Sequence, residues 1–139
     1  MTTSTHEADL RGVALRVTKQ RLAVLAAVRR NSHSDADSIV KEVRQELGQV
    51  STQAVYDVLH ALTESGLIRC VEPAGSPARY DARVGDNHHH LVCRTCGDMV
   101  DVDCAVGAAP CIEPAARHGF SIDEAEVTYW GVCPSCRIT

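Results

Sequence analysis

The sequence predicts an α+β fold in two small domains: a winged helix at the N-terminus and a small α/β domain at the C-terminus. Three segments with helical periodicity lie in the first half and are followed by a short β-hairpin pattern. The second half carries two C-x-x-C pairs, Cys93/Cys96 and Cys133/Cys136. Because 139 residues leave each domain a thin hydrophobic core, we expect a metal ion or a partner subunit to stabilise it.

The first two helices are predicted from caps and apolar spacing. Thr18 can cap a helix that continues through Arg30. Ser34 and Asp35 both offer caps for the second helix, which Gly48 ends. Together they predict a helical pair at the start of the N-terminal domain, residues 1–83.

The third helix, residues 52–65, is the candidate recognition helix. Its outward side chains are polar and long enough to reach base edges and phosphates in a major groove. Residues 67–71 and 78–81 then flank a turn rich in Pro and Gly, which predicts the hairpin of a winged helix. The alternative is an ordinary helical domain whose polar face is only solvated.

Charge and composition restrict the classes of function. Residues 1–83 hold eleven Lys/Arg and ten Asp/Glu, whereas residues 84–139 hold three and eight, for a net charge of −4. An acidic chain does not bind nucleic acid through charge alone, so DNA binding requires a specific motif. The sequence lacks an apolar run of about 18 residues and a signal-peptide pattern, so we expect a cytoplasmic protein without membrane contact.

The two cysteine pairs are the strongest local signal. Seven cysteines in a reducing compartment favour metal binding over disulfides, and four thiolates form a closed, structural Zn²⁺ site. A thioredoxin-like redox pair is disfavoured because neither pair opens a helix after a strand, and the motifs of a nucleotide deaminase are absent. Cys104 and Cys111 are interpreted as core thiols, with a redox role as the alternative.

A histidine-rich strand precedes the first cysteine pair, and the hinge between the domains is predicted at residues 84–87, before residues 88–139. Side chains alternate along a strand, so His88 and His90 share one face and His89 lies on the other. Asp101 lies on the returning strand. Two imidazoles and a carboxylate suit Fe²⁺, Mn²⁺ or Zn²⁺, unlike the four-thiolate site. The alternative is a set of exposed polar histidines.

These motifs together resemble the ferric uptake regulator (Fur) family over nearly the whole chain. They are residues 15–21, the Ala54-Val55-Tyr56-x-x-Leu59 helix with Gly66-Leu67, the histidine-rich strand and both cysteine pairs. Residues 53–62 and 84–90 are similar to the actinobacterial FurA/CatR branch, which is associated with repression of catalase-peroxidase genes. The resemblance implies a homodimeric repressor that binds palindromic, double-stranded operator DNA in response to a regulatory metal.

The resemblance also implies the ligands of the regulatory Fe²⁺ or Mn²⁺, which would lie between the two domains. The ligands would be His33, Asp81, His88, His90 and Asp101. Asp at position 101 resembles the peroxide-sensing (PerR-like) members, whereas iron-sensing members tend to have Glu. In PerR-like proteins H₂O₂ reacts at bound Fe²⁺ and oxidises a histidine, here His33 or His88, and the repressor leaves DNA; the Mn²⁺ form resists.

Two departures from the family pattern concern metal binding. The segment from Asp81 to His88 is one residue longer than in typical PerR proteins, so Asp86 is an alternative ligand to Asp81. Ala125 stands where many relatives have a histidine of a further metal site. We therefore predict no complete third site of that kind.

A third departure concerns DNA binding. Asp57 stands where many Fur proteins have Arg and would repel phosphate, which leaves Thr52, Gln53 and Tyr56 as the predicted contacts. Arg16 matches a basic position that can reach the minor groove, although a solvated surface charge is the alternative.

The sequence therefore predicts a metal-dependent, peroxide-responsive transcriptional repressor. One alternative is an iron- or zinc-uptake regulator of the same fold, since ligand softness does not separate the metals. Another is a thiol-redox zinc protein without DNA function, suggested by Cys70, Cys104, Cys111 and the acidic balance. An enzyme is not predicted, because no nucleophile and base occur in a local signature.

Overall fold

The structure, a computed structural model, describes residues 3–107 and 110–137, which belong to two compact units, residues 1–84 and 85–139. The first unit contains α1 (Thr3–Gly12), α2 (Lys19–Arg30), β1 (Ser34–Asp35), α3 (Ala36–Leu47), α4 (Thr52–Glu64), β2 (Arg69–Val71) and β3 (Arg79–Asp81). The second contains β4 (His88–Cys93), β5 (Met99–Asp103) and β6 (Thr128–Gly131). None of the described helices has the length and apolar content needed to cross a bilayer.

The caps of α2, α3 and α4 explain where these helices begin. Thr18 accepts a hydrogen bond from Arg21 N–H at 3.1 Å, and Asp35 accepts one from Ser38 N–H at 2.9 Å. Ser51 caps α4 in the same way. The three predicted helices are therefore confirmed, and their cap side chains satisfy N–H groups that the first helical turn leaves open.

The first unit packs its helices on one apolar core and adds a small sheet. Leu25, Ile39 and Leu59, from α2, α3 and α4, are fully buried together. Strands β2 and β3 form the predicted antiparallel hairpin, and β1 pairs with the other edge of β3. Three helices and this hairpin make the predicted winged helix, and with the strands of the second unit they confirm the α+β fold class.

Two elements of the first unit were not predicted. Helix α1 precedes the predicted helices, where the sequence was interpreted only as a polar start. Its buried residues, His6 and Leu10, are one turn apart, and since His6 is polar the sequence offered no apolar face there. Strand β1 has two residues, too few for a periodicity.

The second unit is built on a three-stranded sheet in the order β5-β4-β6, with β5 antiparallel and β6 parallel to the central strand. The residues described between β5 and β6, 104–107 and 110–127, form turns, bends and irregular backbone. The described part of this unit therefore lacks the helix expected of an α/β domain. Among the described residues of this unit, the buried apolar side chains are Val92, Cys93 and Met99. So small a core leaves much of the stability to other interactions.

Candidate metal centres and nucleic-acid face

The four predicted zinc ligands come together at one end of the sheet. Cys93, the last residue of β4, is paired with Gly131, the last residue of β6. The turn that follows β4 therefore lies beside the turn that follows β6. The four sulfur atoms lie within 4.8 Å of one another, and Cys96 Sγ is 3.7 Å from Cys133 Sγ. Tetrahedral zinc with Zn–S bonds of about 2.3 Å places its sulfurs about 3.8 Å apart. The cluster Cys93, Cys96, Cys133 and Cys136 therefore fits Zn²⁺.

Backbone N–H groups around this cluster favour the thiolate form of Cys93. Cys93 Sγ accepts hydrogen bonds from Cys133 N–H at 3.3 Å and Cys96 N–H at 3.5 Å, and these lower the pKa of Cys93 to about 6. Hydrogen bonds with Cys133 and Cys96 raise the pKa of Cys136 to about 12. Without metal, the cluster thus shares protons that zinc would displace on binding.

A second group of ligands lies on one face of β4 and β5. Asp101 is opposite His90 in the antiparallel register. Its Oδ1 lies 3.2 Å from His90 Nε2 and 3.6 Å from His88 Nε2, and both imidazoles are buried. The structure therefore brings together the three predicted ligands of this unit, which present two imidazole nitrogens and a carboxylate to one point.

Asp86 contacts the opposite side of the His88 ring. Its Oδ1 lies 2.8 Å from His88 Nδ1. This contact orients the ring and leaves Nε2 directed at Asp101, as carboxylates commonly do for metal-binding histidines. Asp86 is therefore placed to orient the His88 ring, because it contacts Nδ1 and not the Nε2 that is directed at Asp101.

In the first unit, His33 and Asp81 form a pair. His33 Nε2 is 3.6 Å from Asp81 Oδ2, and the carboxylate is 1% exposed. Asp81 Oδ1 accepts a hydrogen bond from Arg83 N–H, while His33 N–H donates to Tyr80 O and ties its loop to β3. His33 has a φ of 64°, a conformation that costs energy in a residue with a Cβ. The pair is thus fixed within its own unit.

The predicted DNA-contacting residues Thr52, Gln53 and Tyr56 are exposed on the first turns of α4. Gln53 Nε2 donates to Asp57 Oδ1 at 2.8 Å, so Asp57 holds the amide group that would read a base. Arg16 is also exposed and borders a depression shared with Asp57. These positions agree with a polar face on α4 and an adjacent basic residue.

Sequence reasoning missed Arg44, whose guanidinium lies at the start of α4. Its Nε donates to Val50 O at 3.0 Å and its Nη2 to Thr52 Oγ1 at 3.3 Å. The available signal was a basic residue in the last turn of α3, directly before the recognition helix. The side chain fixes the helix start and adds a positive charge beside it.

Sequence reasoning also missed a group formed by His89, Cys104 and Cys111. Their ligand atoms lie within 4.8 Å of one another. Both cysteines, which the sequence analysis interpreted as core thiols, are half-buried. The strand periodicity indicated that His89 faces away from His88 and His90, but nothing in the sequence placed the two cysteines beside it.

Comparisons with known proteins agree with this architecture. The sequence pattern of the ferric uptake regulator family matches residues 12–130. Transcriptional regulator FurA of Mycobacterium tuberculosis is 59% identical over 131 residues, covering 94% of this chain and 89% of that protein. The Peroxide operon regulator of Bacillus subtilis is 31% identical over 130 residues, covering 91% and 88%. The solved structure of the Helicobacter pylori ferric uptake regulator matches with a TM-score of 0.74 at 19% identity, over 100% of this chain and 96% of that one, and this supports the fold.

Proposed function

The chain belongs to the ferric uptake regulator family, and on this premise we propose that it is a cytoplasmic, metal-dependent transcriptional repressor. The observation that carries the proposal is the presence, in the second unit, of two ligand groups of different chemistry. One offers four thiolates, and the other offers His88, His90 and Asp101. The first suits a permanent Zn²⁺ and the second an exchangeable Fe²⁺ or Mn²⁺.

The proposed regulatory site also takes ligands from the first unit. We extend it to the pair His33 and Asp81, so that one ion would be shared by ligands on both units. Each group is already assembled within its own unit, which supports the assignment. An ion that binds one arrangement of the units more tightly shifts the population toward it. DNA affinity then depends on the metal.

DNA binding is assigned to the exposed face of α4. Thr52, Gln53 and Tyr56 would contact the major groove, with Arg16 as a secondary contact. A single helix of this kind reads one half-site, and a two-fold dimer reads two half-sites that are about one helical turn apart. We therefore propose a palindromic operator.

The homodimer is assigned to an exposed apolar row across the sheet of the second unit. Leu91 is paired with Val100 on one side and with Tyr129 on the other, and these side chains are 44%, 51% and 50% exposed. Three adjacent apolar side chains on a sheet face are typical of an interface. A second copy of the chain, presenting the same row, would cover them.

We further propose that the regulator responds to peroxide and controls catalase-peroxidase genes. The aspartate at position 101, together with the similarity to FurA and to the Bacillus subtilis Peroxide operon regulator, supports this. Fe²⁺, when bound at this site, would supply the redox chemistry with H₂O₂. We propose His33 and His88 as the oxidation targets. We expect Asp101→Glu to keep metal-dependent DNA binding and lose most of the peroxide response, as followed by gel shift.

The second candidate function is regulation of iron or zinc uptake. The name of the family itself favours it, and two imidazoles with a carboxylate accept several divalent metals. Under this candidate, metal-dependent DNA binding survives peroxide, and Asp101→Glu changes neither property.

Selection of DNA from a random duplex pool tests the common core of both candidates. With Mn²⁺, the zinc-loaded protein should enrich a palindromic sequence. After Mn²⁺ is chelated, it should enrich no sequence. His90→Ala is the matched variant, because it removes one proposed ligand of the regulatory metal and leaves the four-cysteine zinc cluster unchanged. Enrichment of no sequence with any metal, by protein that is folded and dimeric, would contradict the proposal.

A further inference from the structure

The face of β4 opposite His88 and His90 carries its own group of potential ligands. His89 is 4% exposed, and its Nε2 lies 3.2 Å from Cys111 Sγ. Cys104 follows β5, and its Sγ lies within 4.8 Å of the ligand atoms of both other residues. The group thus combines two sulfurs and one imidazole nitrogen from a strand and a long irregular segment.

Backbone N–H groups favour the thiolate form of Cys104, as they do for Cys93 in the four-cysteine site. A hydrogen bond from Gly107 N–H, with a smaller contribution from Val106 N–H, lowers the pKa of the Cys104 thiol. Burial and the hydrogen bond with Cys104 raise the pKa of Cys111. Cys104 is therefore the more readily ionised thiol of this pair, as Cys93 is relative to Cys136 in the four-cysteine site.

We propose that His89, Cys104 and Cys111 form an additional zinc site with three protein ligands and an open fourth position. Tetrahedral Zn²⁺ places a sulfur and an imidazole nitrogen about 3.5 Å apart, close to the 3.2 Å between Cys111 Sγ and His89 Nε2. Two thiolates favour zinc over the Fe²⁺ or Mn²⁺ that suits the His88, His90 and Asp101 group.

The hydrogen bond of His89 makes this site weaker than the four-cysteine site. Val127 N–H donates to His89 Nδ1 at 3.2 Å, which leaves the ring proton on Nε2, facing Cys111. Zinc bound at Nε2 requires the other neutral tautomer, with the ring proton on Nδ1, and that tautomer loses the hydrogen bond from Val127 N–H; zinc also displaces a thiol proton. We therefore expect this site to bind zinc more weakly than the four-cysteine site.

This group differs from the further site whose absence was predicted from Ala125. Its ligands are two thiolates and one imidazole, and position 125 plays no part in it. Because His89 lies between His88 and His90 in sequence, zinc on one face of β4 and the regulatory metal on the other would share one strand.

Zinc counting on the full chain tests the proposal. Reduced protein is saturated with Zn²⁺, passed through a desalting column and weighed by native mass spectrometry. The variant Cys104→Ser/Cys111→Ser should hold one zinc fewer per chain than the parent. Cys70→Ser, which changes a half-buried cysteine outside these groups, should hold the parent number. An equal count in the double variant and in Cys70→Ser would overturn the proposal.

Thiol alkylation of the unsubstituted protein gives a readout that does not depend on folding of a variant. Zinc should slow alkylation of Cys104 and Cys111 and leave Cys70 unchanged, and a mild chelator should restore the rate before Cys93 and Cys133 react. Rates at Cys104 and Cys111 that are the same with and without zinc would overturn the proposal. The measurement needs no DNA, so it stands apart from the repressor assignment.

Discussion

Removing the zinc of the four-cysteine cluster should unfold the second unit and leave the first unit folded. Among the described residues of the second unit, Val92 and Met99 are the buried apolar side chains besides the ligand Cys93. Burying two such side chains contributes about 3–6 kcal/mol. Structural zinc in small domains contributes about 10–16 kcal/mol. The metal is therefore the larger contribution to this unit.

The first unit has no comparable dependence. Its core joins α2, α3 and α4 through fully buried residues such as Leu25, Ile39 and Leu59. The perturbation is Cys136→Ser, which leaves three sulfurs where a closed site needs four. The matched control is Cys70→Ser, which changes a cysteine of the first unit and leaves the cluster intact.

The assay uses Trp130, the single tryptophan of the chain, which lies in β6 and is stacked by Arg94 at 5.2 Å. In Cys136→Ser its emission should shift to that of a solvated indole, and the helical circular dichroism of the first unit should remain. Cys70→Ser should match the parent in both signals. Native tryptophan emission and an unchanged unfolding transition in zinc-free Cys136→Ser protein would show that the second unit folds without this zinc.

Three further substitutions test the other assignments. Gln53→Ala should weaken operator binding by about 1–3 kcal/mol in a fluorescence titration, because a base contact is lost, and the salt dependence should not change. An unaltered affinity would show that Gln53 does not contact the operator. Leu91→Asp should raise the dimer dissociation constant by more than about tenfold in sedimentation experiments, because it places a charge in the apolar row, and a stable dimer would exclude that face. His90→Ala should keep its structural zinc and its thermal stability but lose Mn²⁺-dependent DNA binding, and binding that persists with Mn²⁺ would exclude His90 as a ligand.

Local signals explain what the sequence predicted. Thr18, Asp35 and Ser51 each accept a hydrogen bond from an N–H three residues later, so the start of a helix is encoded within one turn. The period of two along β4 likewise decides which histidines face Asp101. Both kinds of information lie in neighbouring residues.

Long-range contacts explain what the sequence did not predict. Cys111 lies 22 positions from His89 and comes from a segment without regular structure, so no periodicity connects the two. Arg44 reaches α4 only because α3 and α4 pack side by side. Helix α1 has two buried residues, which is too weak a pattern against a polar background.

We propose that bound iron would convert a peroxide signal into loss of DNA binding. The direct test is operator binding by zinc-loaded protein with Fe²⁺ or Mn²⁺, before and after a brief H₂O₂ pulse, with mass spectrometry of the histidine peptides. We expect only the Fe²⁺ form to lose DNA, and His33 or His88 to gain one oxygen atom. DNA binding by the Fe²⁺ form that survives the pulse, with unmodified histidines, would contradict it and leave a regulator of metal uptake.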